Sequence, residues 1–276
     1  MNKVKLKELI LSEGIDIVGF TDAQDHLLSY PPRPATKLMP TAKSIIIMAV
    51  AHSLGSVYSP DIKIWTRNKM QTSRLLDQVA EKVGRLLERE GYLSMPISAD
   101  KPVEIHKIDP KTGKKFNRTK VVSHLSLKHA AVSAGMGQIG KSNLLLTKEF
   151  GPHQRLGGII TESEFQPDPF KELNLCIEGC KKCEKACPVG ALKDGKFDVD
   201  KCFTYWAMGF KIQLPNKIRE FPSFLKMLWR HNKYRDWFTE LGQNFMTDVD
   251  YCIECMKACP VGSHWKKIRP KNKRVK

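Results

Sequence analysis

The segment CIEGCKKCEKACPVG occupies residues 176–190, and CIECMKACPVG occupies residues 252–262. With Cys180 laid on Cys252, Cys183 falls on Cys255, Cys187 on Cys259, and Pro-Val-Gly on Pro-Val-Gly. The chain thus carries an internal repeat, from 180 to 252, at an offset of 72 residues. Cys202 stands between the two copies and completes a set of eight cysteines. Reduced cellular thiols favour metal ligation over disulfides in a chain of this size, and spacing of this kind reads as a ligand framework.

A cubane iron–sulfur cluster needs four thiolates, and a Cys-x2-Cys loop offers two neighbouring ones. The cysteine ahead of proline lies past that loop and reaches the other cluster in two-cluster ferredoxins. The repeat therefore predicts one 4Fe–4S centre on Cys176, Cys180, Cys183 and Cys259, and a second on Cys187, Cys202, Cys252 and Cys255. Two departures stand out: the first gap is Cys176-x3-Cys180, and the leading cysteine of the second half, Cys202, lies far upstream of Cys252. Two zinc sites built on the Cys-x2-Cys pairs are the competing reading, but zinc leaves the Cys-Pro repeat unexplained.

Outward from the cysteines, the composition is that of a folded protein. Of 276 residues, 41% are hydrophobic and 8% aromatic, which excludes global disorder and fibrous classes. The longest apolar run, Ile45 to Ala51, is far short of the roughly 18 residues that suggest a membrane span. The start, MNKVKLKELILSEGID, reads as an amphipathic helix without a secretory core, so a cytoplasmic location is expected. The net charge is +17, which invites anionic partners, RNA among them. No Asp or Glu occurs from Pro110 to Lys148, a stretch that holds eight basic residues.

The first part alternates helix and strand. DIVGF and the apolar run Ser44 to His52 read as strands, the second suited to burial on both faces. Leu75, Leu76, Val79, Val83, Leu86 and Leu87 recur at helical spacing, with a stop at Gly91. Residues 93–97 and 156–161 are further strand candidates. The expected fold class is α/β: a cofactor-binding domain over 1–170 and, after the QPDP turn, a two-cluster ferredoxin-like domain over 171–265. A helical insert is expected over 215–246, with a basic tail over 266–276. Arg219, Lys226, Arg230, Lys233 and Arg235 interleave with Trp229, Tyr234 and Trp237 there, a pattern that suits a lid, an RNA contact or an amphipathic hairpin.

GMGQIGKS, Gly135 to Ser142, matches both the P-loop and the G-x-G-x-x-G patterns. Both require a strand before the glycines, whereas LSLKHAAVSA reads as helix. The wider segment AGMGQIGKSNLLL, followed by LGGIITE, resembles the AGLGWxGK region of the epoxyqueuosine reductase family, cobalamin-dependent iron–sulfur enzymes related to reductive dehalogenases. IVGF, PTAKSIIIMAVAH, the isolated cysteine in DKCFTYW and both CxxCxxxCP motifs extend the resemblance over most of 15–262. It implies an N-terminal domain that binds a corrinoid without a protein ligand below cobalt. It also implies a nearer cluster that reduces cobalt and a farther one that relays electrons from a ferredoxin or flavodoxin. Gly135, Gly137 and Gly140 are expected to let the backbone approach that cofactor, and Lys141 to join them.

The family's proton-donor Asp lies about a dozen residues before AGLG. Here that position falls on Val121, and no acid is near. His124 is the nearest titratable replacement, with Ser123 and Lys128 as weaker ones. The family's helical-repeat extension after the clusters is also missing. The reading is a corrinoid-dependent reductase with a substrate of its own. Two alternatives stand beside it: an electron-transfer or cofactor-reducing protein without substrate chemistry, and an RNA-binding protein with structural clusters.

Overall fold

A computed structural model describes residues 2–24, 35–100, 125–199, 201–202, 205 and 252–263, together with the backbone of two strands at 103–108 and 115–123. His124, the insert 215–246 and the tail 266–276 lie outside the described residues.

In chain order the elements are α1 (Lys3–Ser12), β1 (Ile17–Asp22), α2 (Ala35–Leu38), β2 (Ser44–Ala51), α3 (Leu54–Val57), α4 (Ile62–Arg89) and β3 (Ser94–Ile97). Next come β4 (Val103–Ile108), β5 (Lys115–Ser123), α5 (Leu127–Ser133), β6 (Gln138–Ile139), β7 (Leu145–Leu146) and β8 (Gln154–Thr161). The cysteine-rich part adds α6 (Lys182–Ala186), β9 (Leu192–Lys193), β10 (Lys196–Phe197) and α7 (Glu254–Ala258).

The main sheet has the order β1-β2-β8-β3, and every neighbouring pair is antiparallel. An antiparallel sheet commonly leaves one face to solvent. Here helices cover both faces, which is why β2 is an unbroken apolar run rather than an alternating one. Ile46, Met48 and Ile159 meet α1 and α4 through Leu6, Ile10, Leu76, Val79 and Val83 on one side. Ile45, Ile47, Ala49 and Ile160 meet α5 through Leu127, Ala130 and Ala131 on the other. Each large aliphatic side chain buried in this way contributes about 1.5–3 kcal/mol. The mixed α/β class holds.

The helix read from 75 to 87 is longer at its start. Asp61 accepts from the backbone N–H of Lys63 at 2.9 Å and opens α4 a dozen residues earlier. Its extra turns bury Trp65, Thr66, Lys69, Thr72 and Ser73, a largely polar face that apolar periodicity does not register. The stop is where glycine puts it. Gly91 has φ +90°, its N–H donates to Glu88, and the Tyr92 N–H donates to Leu87, the Schellman pattern.

The glycine-rich segment follows α5 and runs into the hairpin of β6 and β7, with no helix after it. A phosphate-binding strand–loop–helix is therefore absent from this segment. A second feature unforeseen in the sequence is the antiparallel β4–β5 pair, which leads into the acid-free stretch and whose register shifts between His106 and Ile108. After β8 the chain is fastened back to the start of the fold. Asp168 accepts from the backbone N–H of Phe20 at 2.9 Å and pairs with Lys3 at 2.7 Å.

Candidate functional site

The two cysteine repeats fold alike. Each contributes one five-residue helix, α6 and α7, that begins after a residue of similar backbone shape: Lys181 at φ −120°, ψ 19° and Ile253 at φ −131°, ψ 16°. Each ends on the cysteine before proline, Cys187 at φ −71°, ψ 113° and Cys259 at φ −70°, ψ 125°. The extended ψ is what the following proline requires, so Cys-Pro turns the chain out of the helix at the same point twice.

The thiols sort into two neighbourhoods. Burial pushes the Cys255 thiol up to about 12, and charge on Cys252, Cys202, Cys183 and Cys187 adds to the effect. Burial also raises Cys202, with Cys252 and Cys187 as its charged neighbours. Cys183 is raised by burial and then, among thiols, by Cys176. Cys259 and Cys176 pack together with Leu146, Val261 and Leu175. Cys187, Cys202, Cys252 and Cys255 thus neighbour one another, Cys176 neighbours Cys183 and Cys259, and Cys183 also faces Cys255. Among the described residues no three metal-ligating side chains converge as they would on a single ion. The Cys187 sulfur accepts a hydrogen bond from the Ala191 backbone N–H at 3.2 Å, a contact of the kind that tunes cluster potentials.

The second repeat is docked on the α/β part. Val57 and Trp65 pack with Ile253 and Met256, and Tyr58 donates its hydroxyl to the Lys257 carbonyl at 3.1 Å. The Ser263 N–H donates to the Lys148 carbonyl at 2.9 Å. Beside that bond the backbones touch directly: a side chain on Gly151 would fall on the Val261 carbonyl, and one on Gly262 would lie 2.9 Å from the Phe150 carbonyl carbon.

This docking borders an open-mouthed cavity of about 410 Å³. His52, Trp65, Lys69 and Arg155 line it from the sheet and α4, Lys128 and Asn143 from α5 and the hairpin, and Cys252, Ile253 and Met256 from the second repeat. Asp100 pairs with Lys69 at 2.7 Å and with Arg155, whose Nη2 also donates to the Ala99 carbonyl at 2.8 Å. Burial alone would raise the Asp100 carboxyl, but the Arg155 and Lys69 charges outweigh it and hold the group below the ordinary carboxylate range.

His52 is 2% exposed, edge-on to the Trp65 ring at 4.6 Å. Thr72 gives its hydroxyl proton to the Asn68 carbonyl at 2.7 Å, which leaves its oxygen to accept from His52 Nδ1–H at 3.1 Å. Burial, reinforced by the charges of Arg155, His153 and Lys69, pushes the imidazole down to about 3, so it is neutral near pH 7. Lys128 donates to the Asn143 carbonyl at 3.0 Å and to its side-chain oxygen at 2.6 Å, and burial pushes its ammonium down to about 8.

Of the residues expected at the site, Cys252 and Lys128, the latter a weaker proton-donor candidate, line the cavity among the described residues. Gly135, Gly137, Gly140 and Lys141 do not. A side chain on Gly135 would meet the Pro169 carbonyl, one on Gly137 the Leu146 carbonyl, and one on Gly140 the Leu146 side chain at 2.5 Å. The close approach read from these glycines is made by the chain itself, and it shapes the hairpin that presents Asn143 and Leu144. His124 is outside the described residues. Sequence reasoning missed His52, Trp65, Lys69, Asn143 and Arg155. The available signal was polar residues where a core pattern called for apolar ones, as at Lys69 and Thr72 in α4.

No family model matches the chain. Over 188 residues it is 32% identical to an epoxyqueuosine reductase of Bacillus cereus, a match spanning 66% of this chain and 44% of that protein. It is 24% identical over 156 residues to a tetrachloroethene reductive dehalogenase of Desulfitobacterium hafniense, spanning 56% of this chain and 24% of that one. A selenomethionine-labelled epoxyqueuosine reductase of known structure shares the fold with a TM-score of 0.59 at 21% identity, over 94% of this chain and 64% of that one. The chain spans less than half the length of these two curated relatives. Both are oxidoreductases, the class expected from the sequence. Among the described residues no helix is long and apolar enough to cross a membrane.

Proposed function

We propose that this relative of the epoxyqueuosine reductases and reductive dehalogenases is an iron–sulfur oxidoreductase that works with a corrinoid. The observation that carries the reading is the position of the cavity, which Cys252 lines together with Trp65, Lys128 and Arg155. A cluster held by Cys252 would adjoin whatever occupies that space.

The residues suit these groups. Burial first, and then neighbouring thiols, raise the proton affinity at Cys255, and iron would offset both by holding the sulfur as a thiolate. Cys176, Cys180, Cys183 and Cys259 would hold one cluster, and Cys187, Cys202, Cys252 and Cys255 the other. The cavity offers donors for the amides and phosphate of a corrinoid rim. The Trp65 indole N–H is buried with no partner among the described residues. The 410 Å³ bounded by described residues is less than a whole corrinoid fills, so the fit is to one edge of the group. When bound, the clusters supply one-electron transfer and a corrinoid supplies low-valent cobalt able to reduce an electrophile.

The chain's own residues set the conditions. Leu127, Leu145 and Leu156 give the cavity apolar walls. His52 stays neutral and braces Trp65. Gly135, Gly137 and Gly140 hold the hairpin in place, and Lys141 stands on the same turn. His124 precedes the lining residue Ser126 by two positions, which supports its assignment as the proton donor. In this reading residues 1–170 hold the cofactor and 171–265 the clusters. The electron donor is a ferredoxin or flavodoxin, and the basic segments offer a surface for RNA.

The test is anaerobic reconstitution with iron and sulfide analysis, then titration with cob(II)alamin followed by EPR. About eight irons with a base-off cobalt signal support the reading. About eight irons without cobalamin uptake leave an electron-transfer protein, and stoichiometric zinc without sulfide overturns the cluster assignment.

A further inference from the structure

We propose that this cavity recognises an oxygen-rich anionic group, a carboxylate or a phosphate, carried by the molecule that the protein reduces. The inference rests on the reductase reading above and adds the substrate class.

It follows from which lining groups are already committed. Apart from His52 Nε2, which the neutral imidazole leaves as an acceptor, the side-chain oxygens around the cavity are satisfied from within the chain. Asp100 takes Lys69 and Arg155. Gln154 accepts from Thr147 at 3.1 Å and donates its amide to the Leu145 carbonyl at 2.9 Å. The Asn143 side-chain oxygen takes Lys128. The donors are in surplus. An ammonium has three N–H groups, and Lys128 places two of them on Asn143. Trp65, 3% exposed, has its indole N–H unpartnered among the described residues, and so does the buried Nε–H of Arg155.

Three cations stand against the Asp100 carboxylate and, with a cluster bound, the Cys252 thiolate, which leaves a positive surplus; burial first, and then the Arg155 and Lys69 charges, keep His52 unprotonated. Unmet buried donors cost free energy, and a ligand rich in acceptors removes the cost. A neutral, donor-bearing ligand does not. The phosphate of a corrinoid has the same chemistry as a substrate anion, so the test separates the two sources.

The whole 276-residue chain, reconstituted with its clusters, is titrated calorimetrically under anaerobic conditions with benzoate, inorganic phosphate and benzamide, before and after loading with cobalamin. We expect benzoate or phosphate to bind at least about tenfold more tightly than benzamide, in loaded and unloaded protein alike. Lys128→Gln should weaken that binding about tenfold or more. Trp65→Phe, which keeps an aromatic ring against His52 and removes only the N–H, should weaken it less. Iron content confirms that each variant is folded. Equal binding of benzoate and benzamide, no binding, or affinities unmoved in both variants overturns the proposal. Binding abolished by cobalamin assigns the donors to the cofactor's phosphate and overturns it as well. Anion binding in a protein that takes up no cobalamin supports this inference and removes the corrinoid reading instead.

Discussion

Replacing Gly151 by alanine tests whether the second cysteine repeat is seated on the α/β part by direct backbone contact. Gly151 has φ +59°, and its N–H and carbonyl both pair with Thr147. A non-glycine residue in that left-handed conformation costs about 1 kcal/mol. The added methyl would also fall on the Val261 carbonyl, with the Gly262 nitrogen 3.2 Å away. Neither is a side chain that can rotate aside, and Gly262 is itself closed in by Phe150. Overpacking of this kind costs a further 1–3 kcal/mol or so. Gly91→Ala is the matched control: φ is +90°, and nothing lies within 4 Å of the added methyl. The control should lose about 1 kcal/mol and Gly151→Ala about 2–4. With a urea slope of about 3 kcal/mol/M, the two midpoints should differ by about 0.3–1 M in anaerobic urea titrations followed by circular dichroism. Cluster absorbance should fall first in Gly151→Ala, because Val261 follows Cys259 by two residues. Equal midpoints in the two variants, with cluster absorbance intact, would refute the backbone joint.

Asp100→Asn should cost about 1–3 kcal/mol, between an exposed pair and a buried one, since Asp100 is two-fifths exposed while Lys69 is nearly buried. Its folded carboxyl is held low, so wild-type stability is fully present above the ordinary carboxylate range and declines as pH falls through the folded value. The variant should lack that acid slope in pH-dependent urea titrations. For Lys128 the slope has the same sign in a higher window: the folded ammonium titrates near 8, below its unfolded value, so stability should rise with pH from about 8 to 10.5 and Lys128→Met should flatten that rise. Cys202→Ala and Cys255→Ala should each lower iron from about eight to about four and remove the same EPR signal, whereas Cys183→Ala should remove the other. A shared loss between Cys183 and Cys255 would break the grouping.

The amino-acid sequence by itself settled what depends on neighbours along the chain. The unbroken apolar run at 44–51 reported burial on both faces, the spacing from Leu75 to Leu87 reported a helix, and Gly91 marked its end. The Cys-x2-Cys and Cys-Pro repeats fixed two helices of matching shape, because proline imposes the same backbone exit after Cys187 and Cys259. Tertiary structure alone decided what meets across the chain. The antiparallel pairing of β2 with β8 joins segments about 110 residues apart. Gly135 and Gly137 signalled that something comes close, but only the fold shows it to be Pro169 and Leu146. The cavity gathers His52, Lys69, Lys128, Arg155 and Cys252 from separate segments, with Asp100 paired behind Lys69 and Arg155, and several of them are polar groups at buried positions. Periodicity records how one element divides its side chains between water and core. It carries no record of a charge whose partner lies about 30 or 55 residues away, and the site is built from such charges.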